Sequence, residues 1–289
     1  MKPVHTLISL ACLAMAASLP VPAADDAARP ARIILVGDST MATRSGYGDA
    51  LCQRLRAQVA CINLAHGGRS SGSFRAEGRW DEVQALLRDG AAYSASYVLI
   101  QFGHNDQPGK PGRSTDFVTQ FPQNIARYVS EARALGGVPV LITPLTRRSF
   151  KGQYVRDDLG PWAAQVRRVA RQSGATLIDL NKISADAVQA MGSAEADTLA
   201  QAPPPDPNAA PVTAATAVAA LPGAAVEPQG PPKISFDRTH VGAKGAALFS
   251  GMVASELQRQ IPALRPAFPP SPKPRPTTGV RAPIRNISV

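Results

Sequence analysis

The sequence predicts an α/β protein, a five-stranded parallel sheet with helices on both faces. Three observations carry this. Five short apolar runs recur along the chain, segments of helical character separate them, and the first three stop at small, polar turns. Parallel strands are buried on both faces and so read as unbroken apolar runs. Joining two of them needs a crossover long enough for a helix.

The elements follow in order. Residues 32–36 (RIILV) form the first strand and stop at Gly37. A helix is expected over 49–57, a strand over 61–65 (CINLA), a helix near 78–88 and a strand over 96–102 (SYVLIQF). A helix over roughly 121–135 ends at Gly136-Gly137, where the left-handed conformation that closes a helix costs least. The strand VPVLIT (138–143) comes next, then a helix near 160–173 stopped by Gly174, then the strand ATLIDL (175–180). In a last helix, roughly 243–261, Phe249, Val253, Leu257 and Ile261 recur every four residues and give one core-facing stripe.

Other segments stand outside this pattern. Lys2, the short apolar run Leu7 to Ala17 and the small residues Val21-Pro22-Ala23 read as a secretory leader over residues 1–23. The run is too short to span a bilayer, and Cys12 lacks the upstream leucine of a lipid-anchoring signal, so a secreted or periplasmic protein without a membrane anchor is expected. A single folded domain over 24–262 is then expected. Residues 192–232 are dominated by Ala and Pro and read as a disordered insertion, and 263–289 read as a basic, Pro-rich tail, because neither composition buries enough apolar surface to offset its ordering entropy.

Composition limits the function. Aromatic residues are only 5% of the chain, against a module that grips sugar rings on exposed aromatic platforms. The formal charge is +10, but removing Lys2 and the six cations that follow Glu256 leaves +3, so the basicity belongs mostly to the tail and no nucleic-acid partner is indicated. Past the leader only three histidines remain, and no Cys or His pair has zinc-ligand spacing, so no metal is expected. Cys52 and Cys61 suit a disulfide in an oxidising compartment, with two separate buried thiols as the alternative.

Four polar blocks carry the chemistry. Gly37-Asp38-Ser39-Thr40 follows the first strand, Gly67-Gly68-Arg69-Ser70 the second, and Gly103-His104-Asn105-Asp106 the third. Turns that leave successive strands of one parallel sheet converge at its carboxyl edge, where ligands bind. A serine there can present its hydroxyl, a glycine can bring a bare N–H close to a ligand, and an asparagine can donate a fixed N–H to a developing oxyanion. A serine hydroxyl needs a base, and Asp237-Arg238-Thr239-His240, just before the last helix, offers an imidazole with a carboxylate three residues upstream. His66 and His104 are the competing bases; neither has a carboxylate at comparable spacing upstream. Arg69, beside Gly68, is the candidate cation for an anionic substrate, whereas Arg75 and Arg79 read better as a solvated helix face.

The order Ser, Gly, Asn, His in separate blocks resembles the SGNH (GDSL-type) hydrolase superfamily. GDSTMA (37–42), HGGRSSGSFRAEGRW (66–80), YVLIQFGHND (97–106), PVLITPLTRRSF (139–150) and DRTHVGAKGA (237–246) look like its rhamnogalacturonan acetylesterase family. The resemblance covers roughly 32–190 and 233–260. It implies a flavodoxin-like three-layer α/β/α sandwich with no metal or organic cofactor. Ser39 would be nucleophile in a triad with His240 and Asp237, and the N–H groups of Ser39 and Gly68 with the Asn105 amide would form the oxyanion hole. The implied partner is an acetylated polysaccharide or oligosaccharide of the plant cell wall, such as rhamnogalacturonan or pectin. An esterase or thioesterase for another acyl group, and a non-catalytic polysaccharide-binding protein, are the alternatives; oligomeric state is left open. The Ala/Pro-rich insertion and the basic tail depart from the family pattern.

Overall fold

The computed structural model describes residues 29–205 and 235–270. Its centre is strand β1 (Arg32–Gly37), buried throughout. Ile33 and Leu35 point to one side of the sheet and Ile34 and Val36 to the other, into two separate apolar clusters. Two-sided burial is why the sequence here is continuously apolar. Each such side chain contributes roughly 1.5–3 kcal/mol on leaving water.

Around β1 lie β2 (Ala60–Asn63), β3 (Ser96–Gln101), β4 (Val138–Ile142) and β7 (Thr176–Ile178), all parallel, in the order β2-β1-β3-β4-β7. Arg32 is in register with Ala60 on one side and Ser96 on the other. The remaining strands, β5 (Phe150–Lys151) and β6 (Tyr154–Val155), form a small antiparallel hairpin that the sequence pattern does not reveal. One helical layer holds α1 (Gly48–Cys52), α6 (Leu180–Asp197) and α7 (Ala243–Gln260); the other holds α3 (Arg79–Arg88), preceded by the single turn α2 (Ser73–Ala76), with α4 (Gln120–Ala134) and α5 (Gly160–Ser173). This is the expected three-layer α/β/α sandwich. The chain runs outward from β1 to β2 and then returns past β1 to β3, so the order reverses between β1 and β3. That reversal opens a crevice at the carboxyl edge.

Several boundaries differ from the sequence expectation. The helix expected over 49–57 stops at Cys52, because the chain must turn back within a few residues into β2, and Cys52 is bonded to Cys61 there. Residues 192–205 are not a disordered loop at their start. Helix α6 runs on to Asp197, broken only at Gly192, and Ala196 and Leu199 are buried. Alanine-rich sequence conceals this, since small side chains allow close packing without a visible apolar stripe. Ala200 bridges to Val241, so the described chain on the two sides of residues 206–234 meets there. Nor does the tail begin at 263: Pro262–Ala267 form a 3-10 turn, and Leu264, Ala267 and Phe268 are buried, with the Arg56 N–H donating to the Ala267 carbonyl at 2.8 Å. The expected leader (1–23), residues 206–232 of the insertion and 271–289 of the tail lie outside the described residues. Among the described residues no helix is long and apolar enough to cross a membrane.

Candidate active site

The turn after β1 is built around a buried carboxylate. Asp38 Oδ1 accepts from the Thr40 N–H at 2.9 Å and the Thr40 hydroxyl at 2.8 Å. The Thr40 hydroxyl accepts from Gln101 Nε2 at 2.7 Å, and Gln101 Oε1 accepts from the Tyr47 hydroxyl at 2.6 Å. The other Asp38 oxygen faces His104 Nδ1 at 3.3 Å. Burial alone would raise the Asp38 pKa, but the His104 and Thr40 interactions outweigh it and hold the carboxyl below its ordinary range. The backbone of this turn is fixed too, because the Asp38 carbonyl accepts from the N–H groups of Met41 and Ala42. A close approach forces Gly37, where an added Cβ would lie 2.7 Å from the Gln101 carbonyl oxygen. Ser39 therefore sits on a preset turn with its hydroxyl outward.

That hydroxyl meets His240. Nε2 of His240 lies 2.9 Å from Ser39 Oγ, and Nδ1 lies 2.9 Å from Asp237 Oδ2. Asp237 Oδ1 also accepts from the N–H groups of Thr239 and His240, both at 2.7 Å. Partial burial would raise the Asp237 pKa, but these bonds outweigh it and hold the carboxyl at about 2. Asp237 thus stays ionised wherever the protein is folded near neutral pH. Its spacing works because three residues span one tight turn, which places carboxylate and imidazole side by side.

The second and third blocks are joined across the crevice. Asn105 Nδ2 donates to the Arg69 carbonyl at 3.1 Å, which leaves its second hydrogen free. Asp106 accepts from the Ser71 hydroxyl at 2.6 Å, the Ser71 N–H at 3.1 Å and the Thr115 hydroxyl at 3.0 Å. Burial dominates the Asp106 carboxyl and lifts its pKa to about 6 despite these bonds. Gly68 has φ 77°, a left-handed backbone that glycine adopts without steric cost. The N–H groups of Ser39 and Gly68 have no intramolecular acceptor among the described residues. Two bare N–H donors and a half-used amide can together receive a negatively charged oxygen.

The other predicted residues are placed differently. The Arg69 guanidinium is engaged, to Glu77 at 2.9 Å and to the Gly67 carbonyl at 2.8 Å. These bonds tie it to the Gly67–Ser70 turn and pair its charge with Glu77. Arg75 pairs with Glu131 at 2.9 Å and stacks near Trp80 and Tyr128, and Arg79 pairs with Glu77. The backbone N–H of His66 donates to the Gly37 carbonyl, and the imidazole pKa is lowered, first by burial and then by Arg79 and Arg69. His104 does have a carboxylate partner, Asp38, far upstream in sequence but adjacent in space; the pair is buried beneath the turn. No metal-holding cluster of His, Cys, Asp and Glu occurs among the described residues.

Sequence reasoning missed Arg147 and Arg148, although they lie just past β4 at the same sheet edge. Arg148 is fully buried, and its guanidinium donates to the carbonyls of His240 at 2.7 Å, Asp237 at 3.1 Å and Thr239 at 3.4 Å. Arg147 donates to Gln107 Oε1 at 2.9 Å and the Thr239 hydroxyl at 3.2 Å, and pairs with Asp158. A basic pair at a strand's carboxyl end was the available signal.

Residues 35–248 match the model of the GDSL-like lipase/acylhydrolase family. The chain belongs to this family. Among curated relatives, a probable rhamnogalacturonan acetylesterase of Bacillus subtilis is 34% identical over 155 residues, which span 51% of this chain and 69% of the relative. A rhamnogalacturonan acetylesterase of the same organism is 33% identical over 160 residues, spanning 53% of this chain and 66% of the relative. Among solved structures, an acetylxylan esterase of Geobacillus stearothermophilus has the same fold, with a TM-score of 0.52 at 15% identity over 79% of this chain and 93% of that one. Family membership makes the protein a carboxylic ester hydrolase.

Proposed function

We propose that the protein is a serine O-acetylesterase of plant cell-wall carbohydrate, acting on a pectic polymer of the rhamnogalacturonan type, and that it is exported by the leader at residues 1–23. The observation that carries the reading is the unbroken line from Ser39 Oγ through His240 to Asp237, each step 2.9 Å. The curated relatives' names support the acetyl group and the sugar class.

Ser39 Oγ attacks the acetyl carbonyl carbon as His240 Nε2 takes the hydroxyl proton. Asp237 accepts the Nδ1–H, which holds the reactive tautomer and stabilises the imidazolium. The carbonyl oxygen becomes an oxyanion and receives the N–H groups of Ser39 and Gly68 and the free hydrogen of Asn105 Nδ2. When the intermediate collapses, the sugar oxygen leaves with the proton from His240. Water then gives its proton to His240, attacks the acetyl-serine and releases acetate, and Ser39 recovers its proton. Each oxyanion donor contributes on the order of 3–4 kcal/mol to lowering the barrier.

The test is acetate release from a panel of acetylated polysaccharides by wild type, Ser39→Ala, His240→Ala and the double variant. Each single variant should lose at least about 10³-fold in turnover, and the double should be scarcely worse, because the residues act as a unit. A His240→Ala enzyme with near-normal turnover would place the base elsewhere.

A further inference from the structure

The segment Gln107–Thr115, directly after the Asn105-Asp106 block, is a closed loop with cations on it. The Ser114 hydroxyl donates to the Gln107 carbonyl at 2.8 Å and accepts from the Lys110 N–H at 2.9 Å. The N–H groups of Arg113 and Ser114 return to the Lys110 carbonyl, and Thr115 is anchored to Asp106 by its N–H and its hydroxyl, each at 3.0 Å. The loop is therefore preorganised, so a ligand bound there incurs little ordering cost.

Its charges are unbalanced. Lys110 Nζ donates to the His104 carbonyl and lies 3.4 Å from Asn105 Oδ1, beside the amide that faces the reacting oxygen. Neither Lys110 nor Arg113 has a carboxylate in ion-pair reach among the described residues. Of the nearby acids, Asp106 is buried and occupied by Ser71 and Thr115, Asp158 is taken by Arg147, and Asp116 is taken by Thr119 and the Val118 N–H. The Lys110 pKa is lowered, first by burial and then by repulsion from Arg147 and Arg113, with Asp38 and Asp106 acting in the opposite sense. Cations held in mutual repulsion beside a crevice make a strong local field for an anion.

We propose that this loop is a carboxylate subsite, in which Lys110 and Arg113 receive the uronate carboxylate of an acidic polysaccharide next to the acetylated hydroxyl. The inference rests on the acetylesterase reading and assigns recognition of the polymer's carboxylates to named residues. It also moves the substrate-binding cation from Arg69, which Glu77 occupies, to the next loop along the sheet edge.

The experiment measures kcat/KM on two acetylated oligosaccharides of equal length, one with uronate residues and one a neutral xylo-oligosaccharide. Wild type, Arg113→Gln, Arg113→Glu and Lys110→Gln/Arg113→Gln are compared. The readout is the acidic-to-neutral ratio within each variant, so general damage to folding or to Asn105 cancels. Wild type should prefer the acidic substrate, and the double variant should lower the ratio about tenfold, through KM. Arg113→Glu should lower it further. Raising salt from about 0.02 M to about 0.5 M should erode the wild-type preference and leave that of the double variant nearly flat. An unchanged ratio in all variants, or a wild type that cleaves the neutral substrate equally well, overturns the subsite and leaves the acetylesterase standing. Acetate release from neither oligosaccharide overturns the acetylesterase reading itself, and the subsite with it.

Discussion

Arg148 donates to the carbonyl of His240 at 2.7 Å, while the imidazole of His240 is engaged with Ser39 and Asp237. The same guanidinium reaches the carbonyls of Asp237 and Thr239, and the Arg148 N–H donates to the Arg238 carbonyl, so one residue holds the whole turn that carries His240 and Asp237. Burial pushes the guanidinium pKa down to about 10, which still leaves it charged near neutral pH. The Asp237–His240 turn follows residues 206–234, which lie outside the described structure, yet its position is set by β4 through Arg148 and by α6 through the Arg238–Asp197 pair at 2.8 Å.

Replacing Arg148 by Met should leave three carbonyls short of a donor, each unmet buried group costing about 1–3 kcal/mol. We expect lower thermal stability and a fall in kcat of about 10- to 100-fold on a small aryl acetate, with KM little changed, since substrate binding does not involve this residue. Arg148→Lys keeps the charge but not the planar fork and should fall between the two. A Met variant with full kcat would show that the Arg238 contacts alone hold the turn.

Asp106 gives a pH prediction whose sign is opposite to the usual one for a carboxylate. Its folded pKa of about 6 lies above the unfolded value, so between about pH 4 and 6 the folded protein binds more protons than the unfolded chain. The stability from this group is present below that window and is lost as the pH rises through it. Asp106→Asn keeps an acceptor for Ser71 and Thr115 but does not titrate. Urea unfolding from pH 4 to 7 should show the wild type losing on the order of 3 kcal/mol relative to the Asp106→Asn variant across that window, and nothing more above it. A pH-independent difference would mean that the carboxyl ionises normally.

The contrast between Ser39 and Arg148 shows what the sequence makes legible. Ser39, Gly68 and Asn105 are readable because strand ends announce themselves, and turns after parallel strands converge whatever the details. His240 and Asp237 are readable because their pairing is local. Arg148, the Asp38–His104 contact and the Asp106–Ser71 bonds join residues far apart in sequence, and no periodicity encodes them. Helix α6 (Leu180–Asp197) has no counterpart in the sequence reading for a different reason: its alanines pack closely without forming an apolar stripe.

The disulfide should matter to stability and not to chemistry. Cys52 ends α1 and Cys61 lies in the edge strand β2, nine residues on, so the bond closes a short loop beside the sheet. On the chain-entropy model this contributes about 2–3 kcal/mol. Replacing both cysteines by serine should lower the melting temperature by roughly 5–10 °C, while turnover at ordinary temperature stays within about twofold of wild type, a change of under 0.5 kcal/mol in barrier. Loss of turnover with unchanged melting would instead tie the bond to the active site, through Asn63, which donates to the Met41 carbonyl at 3.1 Å.

The acyl group should be small. A long acyl chain is held by apolar side chains lining a groove, each buried methylene contributing about 0.8 kcal/mol. The turns that carry Ser39, Gly68 and Asn105 are built mainly of small and polar residues. Met41 and Phe74, which follow the Ser39 and Gly68 turns in the chain, are both fully buried in the core clusters and present no surface to a ligand. The large apolar side chains that are exposed among the described residues are Val118, Val138 and Tyr154, and none belongs to segments 37–47, 64–74 or 102–115. What these turns bring together is the Ser39 hydroxyl, the Asn105 amide and the backbone N–H groups of Ser39 and Gly68. An acetyl group needs room for one methyl and gains nothing from a groove, whereas an octanoyl chain would leave six more methylenes in water. Acetate esters of a common aryl alcohol should therefore be cleaved at least about tenfold faster than the octanoate, a difference of roughly 1.4 kcal/mol in barrier. A preference for octanoate would show that a groove forms when substrate binds, and it would remove the carbohydrate assignment, since a polymer of sugars carries no such chain.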